Sequence, residues 1–356
     1  MLRLAIYISK TFIFSWLIVT FGFLILIGLL DSLANSNEIA ASGRGGAGTF
    51  EYMLYRAPVI FDRVLLFTIV VAMLLTYVKL IRQHELVALI GFGFSVPKQV
   101  AMLAPAVVGV ATLAVLFINT AMPPSVRALQ AWGIGEYKRT SISEEKPLWL
   151  QDGNRIVRAA GRPNMETLTD LQFFDQEDNG QISIISWAKQ AKYDYDQRIW
   201  ILDGVERATS RERFTPGSFT RWLSDQTPNS IAKLAADPRD LSLKDMRKFR
   251  TEGNSGSSPG FAYGFWYLHR ITRPLAALIL LLCAVPIMQK TGREDTGDKA
   301  LITGIAAGFI YLVLDGALST FAVSGGLSIT WAVMLPLAIF GLVGSYLALK
   351  TEDLSM

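Results

Sequence analysis

Three stretches of this chain, Thr11 to Leu30, Gln99 to Val126 and Gly316 to Leu349, contain no Asp, Glu, Lys or Arg. Runs of that length supply the ~20 residues with which an α-helix crosses ~30 Å of hydrocarbon, so they read as transmembrane helices. Composition agrees, with 51% of the 356 residues hydrophobic and 18% charged, where soluble chains are about 25% charged. A cytosolic enzyme and a disordered chain are thereby set aside. So is a disulfide scaffold, because the single cysteine, Cys283, can form no intrachain bridge. The net charge of +4 comes from 34 basic and 30 acidic residues without a basic tract, so it gives no sign of a nucleic-acid partner.

The hydropathy pattern predicts six spans: Ile6 to Leu30, Pro58 to Val78, Val100 to Met122, Trp266 to Met288, Ala300 to Phe321, and Leu327 to Leu349. The first follows Arg3 and Lys10, as a signal peptide would, and Ser32-Leu33-Ala34 loosely matches a cleavage site. Its apolar core is about 20 residues, beyond the 7–15 of a signal core, so an uncleaved helix is expected. Arg3, Lys10, Lys79, Arg82, Lys98, Lys290, Arg293, Lys299 and Lys350 all fall on one side of this plan. That side is cytoplasmic by the positive-inside rule, with Arg44, Arg56 and Arg63 as the exceptions. Both termini are then inside, and the segment from Pro123 to Phe265 is outside.

The expected architecture is an α-helical membrane protein of six transmembrane helices with an all-β, jellyroll-like domain inserted between helices 3 and 4. Residues 1–122 hold the first three helices and a cytoplasmic connector near 80–95. Residues 123–260 form the exterior domain and linker, and 261–356 the last three helices. In the exterior segment, short apolar or alternating stretches are broken by Asp152-Gly153-Asn154, Asp178-Asn179-Gly180 and Asp203-Gly204, which predicts antiparallel strands between turns. Trp187, Trp200 and Trp222 are expected in its core. A short amphipathic helix is predicted over Asp240 to Arg250, followed by a Gly/Ser linker over Gly253 to Gly260.

Three catalytic motifs fail in context. Gly256-Ser257-Ser258-Pro259-Gly260 fits Gly-x-Ser-x-Gly but lies in a linker without the strand-to-helix elbow. His84-Glu85 opens a zincin-like motif, yet position 88 is Ala88. Gly292 to Lys299 lacks the Gly-Lys-Ser/Thr core of a phosphate loop. No catalytic residue, metal or cofactor is predicted for the chain itself.

Two features remain as carriers of function. Arg82 to Gly93, between the second and third spans, has Leu86, Leu89 and Ile90 on one face, a polar first turn and a Gly-rich stop. It is either an interfacial connector or a helix docking in a cytoplasmic partner, with Glu85 pairing an arginine and the apolar face packing. The second feature is charge within the spans: Asp31, Asp62, Arg63, Arg270, Arg273 and Asp315. Such residues usually face protein or a water-filled cavity. Helix rise places Arg273 and Asp315 at a shared depth of about 10 Å below the exterior surface. They are expected to pair, or else the arginines face an anionic ligand; Arg270 is expected to snorkel to the headgroups.

With these residues in view, the chain resembles the LptF/LptG permeases of the lipopolysaccharide export ABC transporter. The resemblance rests on Leu29-Leu30-Asp31-Ser32-Leu33, Glu85-Leu86-Val87 with Gly93, Leu148 to Asn154, Leu241-Ser242, Arg273-Pro274-Leu275 and Val313-Leu314-Asp315. Trp149-x-x-Asp152-Gly153-Asn154, Asp31 and Asp315 are more similar to the LptG branch. The resemblance implies an inner-membrane permease with an LptF-like sibling and an LptB-like cytoplasmic ATPase dimer that binds the ATP. It also implies LptC/LptA-like periplasmic partners and lipopolysaccharide as cargo. Arg82, Glu85, Leu86, Leu89 and Gly93 would couple to the ATPase. LptG proteins often carry lysines near the end of the first span, whereas Leu29 to Asn37 has none. Arg56, Arg63, Arg270 and Arg273 are the expected substitutes for binding lipid phosphates, with Asp31 and Asp315 at the gate. The competing readings are a force-transmitting ABC-type permease and a membrane-tethered receptor or scaffold.

Overall fold

The computed structural model describes residues 2–139, 142–145, 147–164, 166–177, 181–209, 215–216, 221–224, 226–251, 258–292 and 298–353. The chain begins with α1 (Leu2–Ala34), α2 (Ser36–Ala41), α3 (Gly45–Arg82), α4 (Glu85–Gly91), α5 (Val96–Trp132) and α6 (Glu136–Arg139). Strands β1 (Leu148–Asp152), β2 (Arg155–Asn164), β3 (Thr167–Gln176), β4 (Ile182–Asp194), β5 (Ile199–Thr209), β6 (Thr215–Pro216) and β7 (Arg221–Trp222) follow. The chain closes with α7 (Pro228–Leu234), a 3-10 turn (Pro238–Asp240), α8 (Leu243–Thr251), α9 (Gly260–Gly292), α10 (Asp298–Val323) and α11 (Ile329–Asp353). Helices α1, α3, α5, α9, α10 and α11 are each long and apolar enough to cross a membrane. They coincide with the six expected spans.

The residues cluster into two compact units. One holds Met1–Ala34, Thr49–Ala121 and Phe265–Met356, and the other Asn35–Gly48 and Met122–Gly264. In the helical unit α3 is the most buried span, and α1 and α10 are the least. Glycine decides how closely α10 approaches α3. A Cβ at Gly304 would lie 2.3 Å from Leu74 Cδ2, and one at Gly308 2.8 Å from Val70 Cγ1. The two glycines leave room on α10 for the Leu74 and Val70 side chains of α3. On α9, the Cys283 thiol donates to the Phe340 carbonyl of α11 at 3.1 Å.

In the second unit the loop after the first span is fastened to the end of α5. Gly135 N–H donates to Glu38 Oε2 at 2.8 Å, and the Arg44 guanidinium sits 4.2 Å from the Trp132 ring centroid. A cation–π contact thus holds one of the arginines that dissent from the basic-side rule. The sheet is an antiparallel meander from β1 to β5, with β6 and β7 both along the free edge of β5. Its buried face alternates with its exposed face along β1, where Leu148 and Leu150 are buried and Trp149 is not.

Trp200 and Trp222 are fully buried and stack at 5.8 Å, as expected. Their indole N–H groups donate to the Gln226 carbonyl at 2.7 Å and to Asp152 Oδ2 at 2.8 Å. Trp187 differs. The register places it opposite Gln172 and Glu206, one residue out of phase with the buried Ala188, so it is half-buried on the opposite face. Side chains in a strand alternate, and this single offset removes Trp187 from the core.

The Asp152-Gly153-Asn154 turn forms, with Asp152 paired to Arg155 and Gly153 at φ +61°. Asp203-Gly204 does not end a strand. Gly204 takes the left-handed φ of +64°, but pairing continues through Asp203↔Gln190 and Val205↔Ala188. The dipeptide makes an irregularity inside β5. The chain turns earlier instead, where Asp194 Oδ1 accepts the N–H groups of Asp196 and Gln197 at 2.9 and 3.2 Å. The predicted turn at 178–180 lies outside the described residues.

The helix expected over Asp240 to Arg250 appears as α8, with Met246 and Phe249 buried. Asp245 N–H donates to the Ser242 hydroxyl at its start, at 3.1 Å. Most of the linker, at 252–257, with the first two residues of the Gly-x-Ser-x-Gly match, and the centre of the Gly292 to Lys299 loop, at 293–297, lie outside the described residues.

Candidate functional site

Charged groups placed inside apolar helices have nowhere to go but to one another, and here they form three clasps between neighbouring spans. In the last turn of α1, Asp31 Oδ2 accepts from Arg56 Nε at 2.8 Å and from the Tyr52 hydroxyl at 2.9 Å, both on α3. Tyr52 and Arg56 are four residues apart, so one face of α3 presents both. Two turns on, Asp62 accepts from Arg273 of α9 through Nη1 at 2.5 Å and Nη2 at 3.1 Å. This bidentate fork is the strong form of a charged hydrogen bond. Arg270 Nη2 lies 3.9 Å from the same carboxylate. One turn before Arg273, His269 Nε2 meets Asp315 Oδ2 of α10 at 2.9 Å. The clasps join α1 to α3, α3 to α9, and α9 to α10.

This arrangement corrects the expected Arg273–Asp315 pair. Equal depth is necessary for two helical residues to meet, but azimuth decides, and α9 points Arg273 at α3 while His269 takes Asp315. Arg270 does not snorkel: it is 2% exposed and faces Asp62. The four arginines proposed to bind phosphate also divide. Arg56, Arg270 and Arg273 are 4%, 2% and 3% exposed and lie against internal carboxylates. Arg63 has an exposed side chain. The sequence shows Asp62 and His269 within apolar spans but not the partners they meet. Both were legible as ionisable residues within apolar helices.

The connector between the second and third spans is built by two left-handed residues. His84, at φ 58°, reverses the chain after α3 so that α4 starts at once with Glu85. At the far end Phe94 N–H donates to the Leu89 carbonyl at 3.1 Å and Gly93 N–H to that of Ile90 at 2.9 Å. With Gly93 at φ +75° this is a Schellman stop. Lys98 Nζ donates to the Gly93 carbonyl at 3.1 Å.

Leu86 and Leu89 were expected to form a docking face, but both are buried in the chain itself. The outward apolar atoms of this turn belong to Val87 and Phe92, which are 57% and 81% exposed. The side chain of Arg82 is exposed. Glu85 Oε1 accepts from the Tyr7 hydroxyl of α1 at 3.1 Å.

Six spans long and apolar enough to cross a membrane, an inserted β domain and a short connector helix define the class as a polytopic membrane protein. Over residues 6–350 the chain matches the model of the lipopolysaccharide export system permease LptF/LptG, and it belongs to that family. It is 25% identical over 219 residues to the lipopolysaccharide export system permease protein LptG of Escherichia coli (strain K12), covering 60% of this chain and 61% of that protein. To the LptG of Haemophilus influenzae it is 22% identical over 219 residues, 60% of each chain. The matched stretch thus spans about three fifths of these relatives. Within the family the chain resembles LptG, and the family is one of transporter components, not of catalytic enzymes.

Proposed function

We propose that this chain is the LptG-like subunit of an ABC transporter that extracts lipopolysaccharide from the outer leaflet of the bacterial inner membrane. It works beside an LptF-like sibling, with a cytoplasmic LptB-like ATPase dimer supplying the energy and an LptC/LptA-like periplasmic bridge receiving the lipid. The basic side of the helices supports a cytoplasmic position for both termini and a periplasmic one for the β domain.

The observation that supports this reading best is the condition of α1 and α10. They are the two least buried spans, with Leu17, Phe21, Ile25 and Leu29 on α1 and Phe309, Ile310 and Val313 on α10 exposed. Apolar walls of this kind suit acyl chains and a sibling helix. Each of these spans is nonetheless tied to the helix core by a clasp, at Asp31 or Asp315. A wall that is open to lipid but tethered to the core can move as a rigid body. The head group then relies on Arg63 and on the sibling's cations, because the other three arginines serve the fold.

Force from the ATPase enters through α4, where Glu85 meets a cation of the ATPase and Val87 and Phe92 pack. The test is purification of the complex with its proteins and lipids, followed by mass spectrometry, and reconstitution with Glu85→Arg. A sibling permease, an ATPase and a glycolipid should copurify, and the variant should hydrolyse ATP with little export. Wild-type export by Glu85→Arg, or a complex without an ATPase, overturns the proposal.

A further inference from the structure

We infer that Tyr7 is a positioning residue of the coupling apparatus: it holds the Glu85 carboxylate and carries the movement of α4 directly to α1. The inference rests on the reading of Glu85 as the point of ATPase engagement. Its basis is the 3.1 Å hydrogen bond from the Tyr7 hydroxyl to Glu85 Oε1, between residues 78 positions apart.

Helix α1 buries little of its length, so its few polar ties govern how it is held. Among the described residues, one such tie is the outer clasp at Asp31 and another is Tyr7. Twenty-four residues separate them, about 36 Å of helix, so the ties sit near the two faces of ~30 Å of hydrocarbon. They differ in strength. At Asp31 a carboxylate receives two donors, one from Arg56, which is 4% exposed. At Tyr7 a neutral hydroxyl meets a carboxylate at an exposed site. The inner tie can therefore shift with α4 while the outer one holds, and α1 pivots about its outer end.

Glu85 is suited to stand between two bodies. An ionised carboxylate has about four acceptor positions. Engagement by a cation of the ATPase thus does not require the hydroxyl to leave. The hydroxyl fixes the rotamer that the cation finds, and displacement of α4 is felt at Tyr7. Because the connector begins at His84 in a left-handed conformation, Glu85 has no preceding helical turn on which to yield. Its movement is that of the whole of α4.

The test uses the complete complex in proteoliposomes, with Tyr7→Phe, Glu85→Ala and the double variant, and lipopolysaccharide released per ATP hydrolysed as the readout. Tyr7→Phe removes one hydroxyl and keeps the ring, and it should lower the ratio about five-fold, the scale of one hydrogen bond. The double variant should be no worse than Glu85→Ala alone, because both changes break the same contact. A label pair at Ile6→Cys and Ala88→Cys should change separation on ATP binding in the parent and lose that response in Tyr7→Phe. A parental ratio for Tyr7→Phe, or losses that multiply in the double variant, overturns the role of Tyr7 alone. A parental ratio for Glu85→Ala overturns the coupling reading and this inference with it.

Discussion

Replacing Asp62 with alanine should be among the most damaging single changes in the helical unit. Its carboxylate has 0% exposure, and the side chains of Arg273 and Arg270 have 4% and 2%. Removing one partner of a buried ion pair costs about 3–5 kcal/mol, because the remaining charge is left desolvated. Here two guanidinium groups lose the same carboxylate. Arg273→Ala should cost less, about 1–3 kcal/mol, the scale of lost charged hydrogen bonds, because Asp62 still faces Arg270 at 3.9 Å.

At roughly 2–4 °C per kcal/mol, Asp62→Ala should lower the melting midpoint by about 10 °C and Arg273→Ala by about half that. The only cysteine supplies the assay: Cys283 is buried in α9, so a thiol-reactive dye fluoresces as the purified protein unfolds. Asp62→Asn, which keeps the shape and removes the charge, should fall near Asp62→Ala. If Arg273→Ala melts lower than Asp62→Ala, or all three melt within 2 °C of the parent, the reasoning about this clasp is refuted.

Other changes test other links. Gly308→Leu would force a side chain into Val70, whose Cγ1 is already 2.8 Å from where a Cβ would stand. It should cost about 1–3 kcal/mol by overpacking, seen as a lower dye midpoint and partly relieved by Val70→Ala. Trp222→Ala deletes a fully buried indole, which should cost about 3–5 kcal/mol and make the β domain susceptible to proteolysis. Asp31→Ala deprives Arg56 and Tyr52 of their shared acceptor and should destabilise more than Tyr52→Phe by the same dye assay, with a double-variant loss smaller than the sum.

The spans were legible because membrane crossing is a one-dimensional property: twenty residues without charge suffice, and Thr11 to Leu30 displays it plainly. Position along the membrane normal was equally readable, which is why Arg273 and Asp315 were put at one depth. Rotation about each helix axis was not. Which face of α9 meets α3 depends on packing between segments about 200 residues apart, so Asp62 was seen without its partner. The contact of Tyr7 with Glu85 was hidden for the same reason.

In the sheet, Asp152-Gly153-Asn154 gave a true hairpin, whereas Asp203-Gly204 carried the same turn chemistry into the middle of β5. A left-handed glycine states what the backbone does at one residue and leaves open whether pairing resumes beyond it. Leu86 and Leu89 teach a related lesson. An apolar stripe on a short helix announces that it will be buried, but cannot say whether by the chain's own helices or by a partner.

The burial of the Asp62–Arg273 clasp gives ionic strength an unusual use for this protein. Mobile ions weaken exposed charges within a Debye length of about 3 Å at 1 M salt, but they screen buried pairs much less. A pair whose side chains are 0% and 4% exposed lies beyond their reach, while Glu85 and the basic residues that flank the spans do not. Salt should therefore strip soluble partners from the helices without loosening the helices from one another.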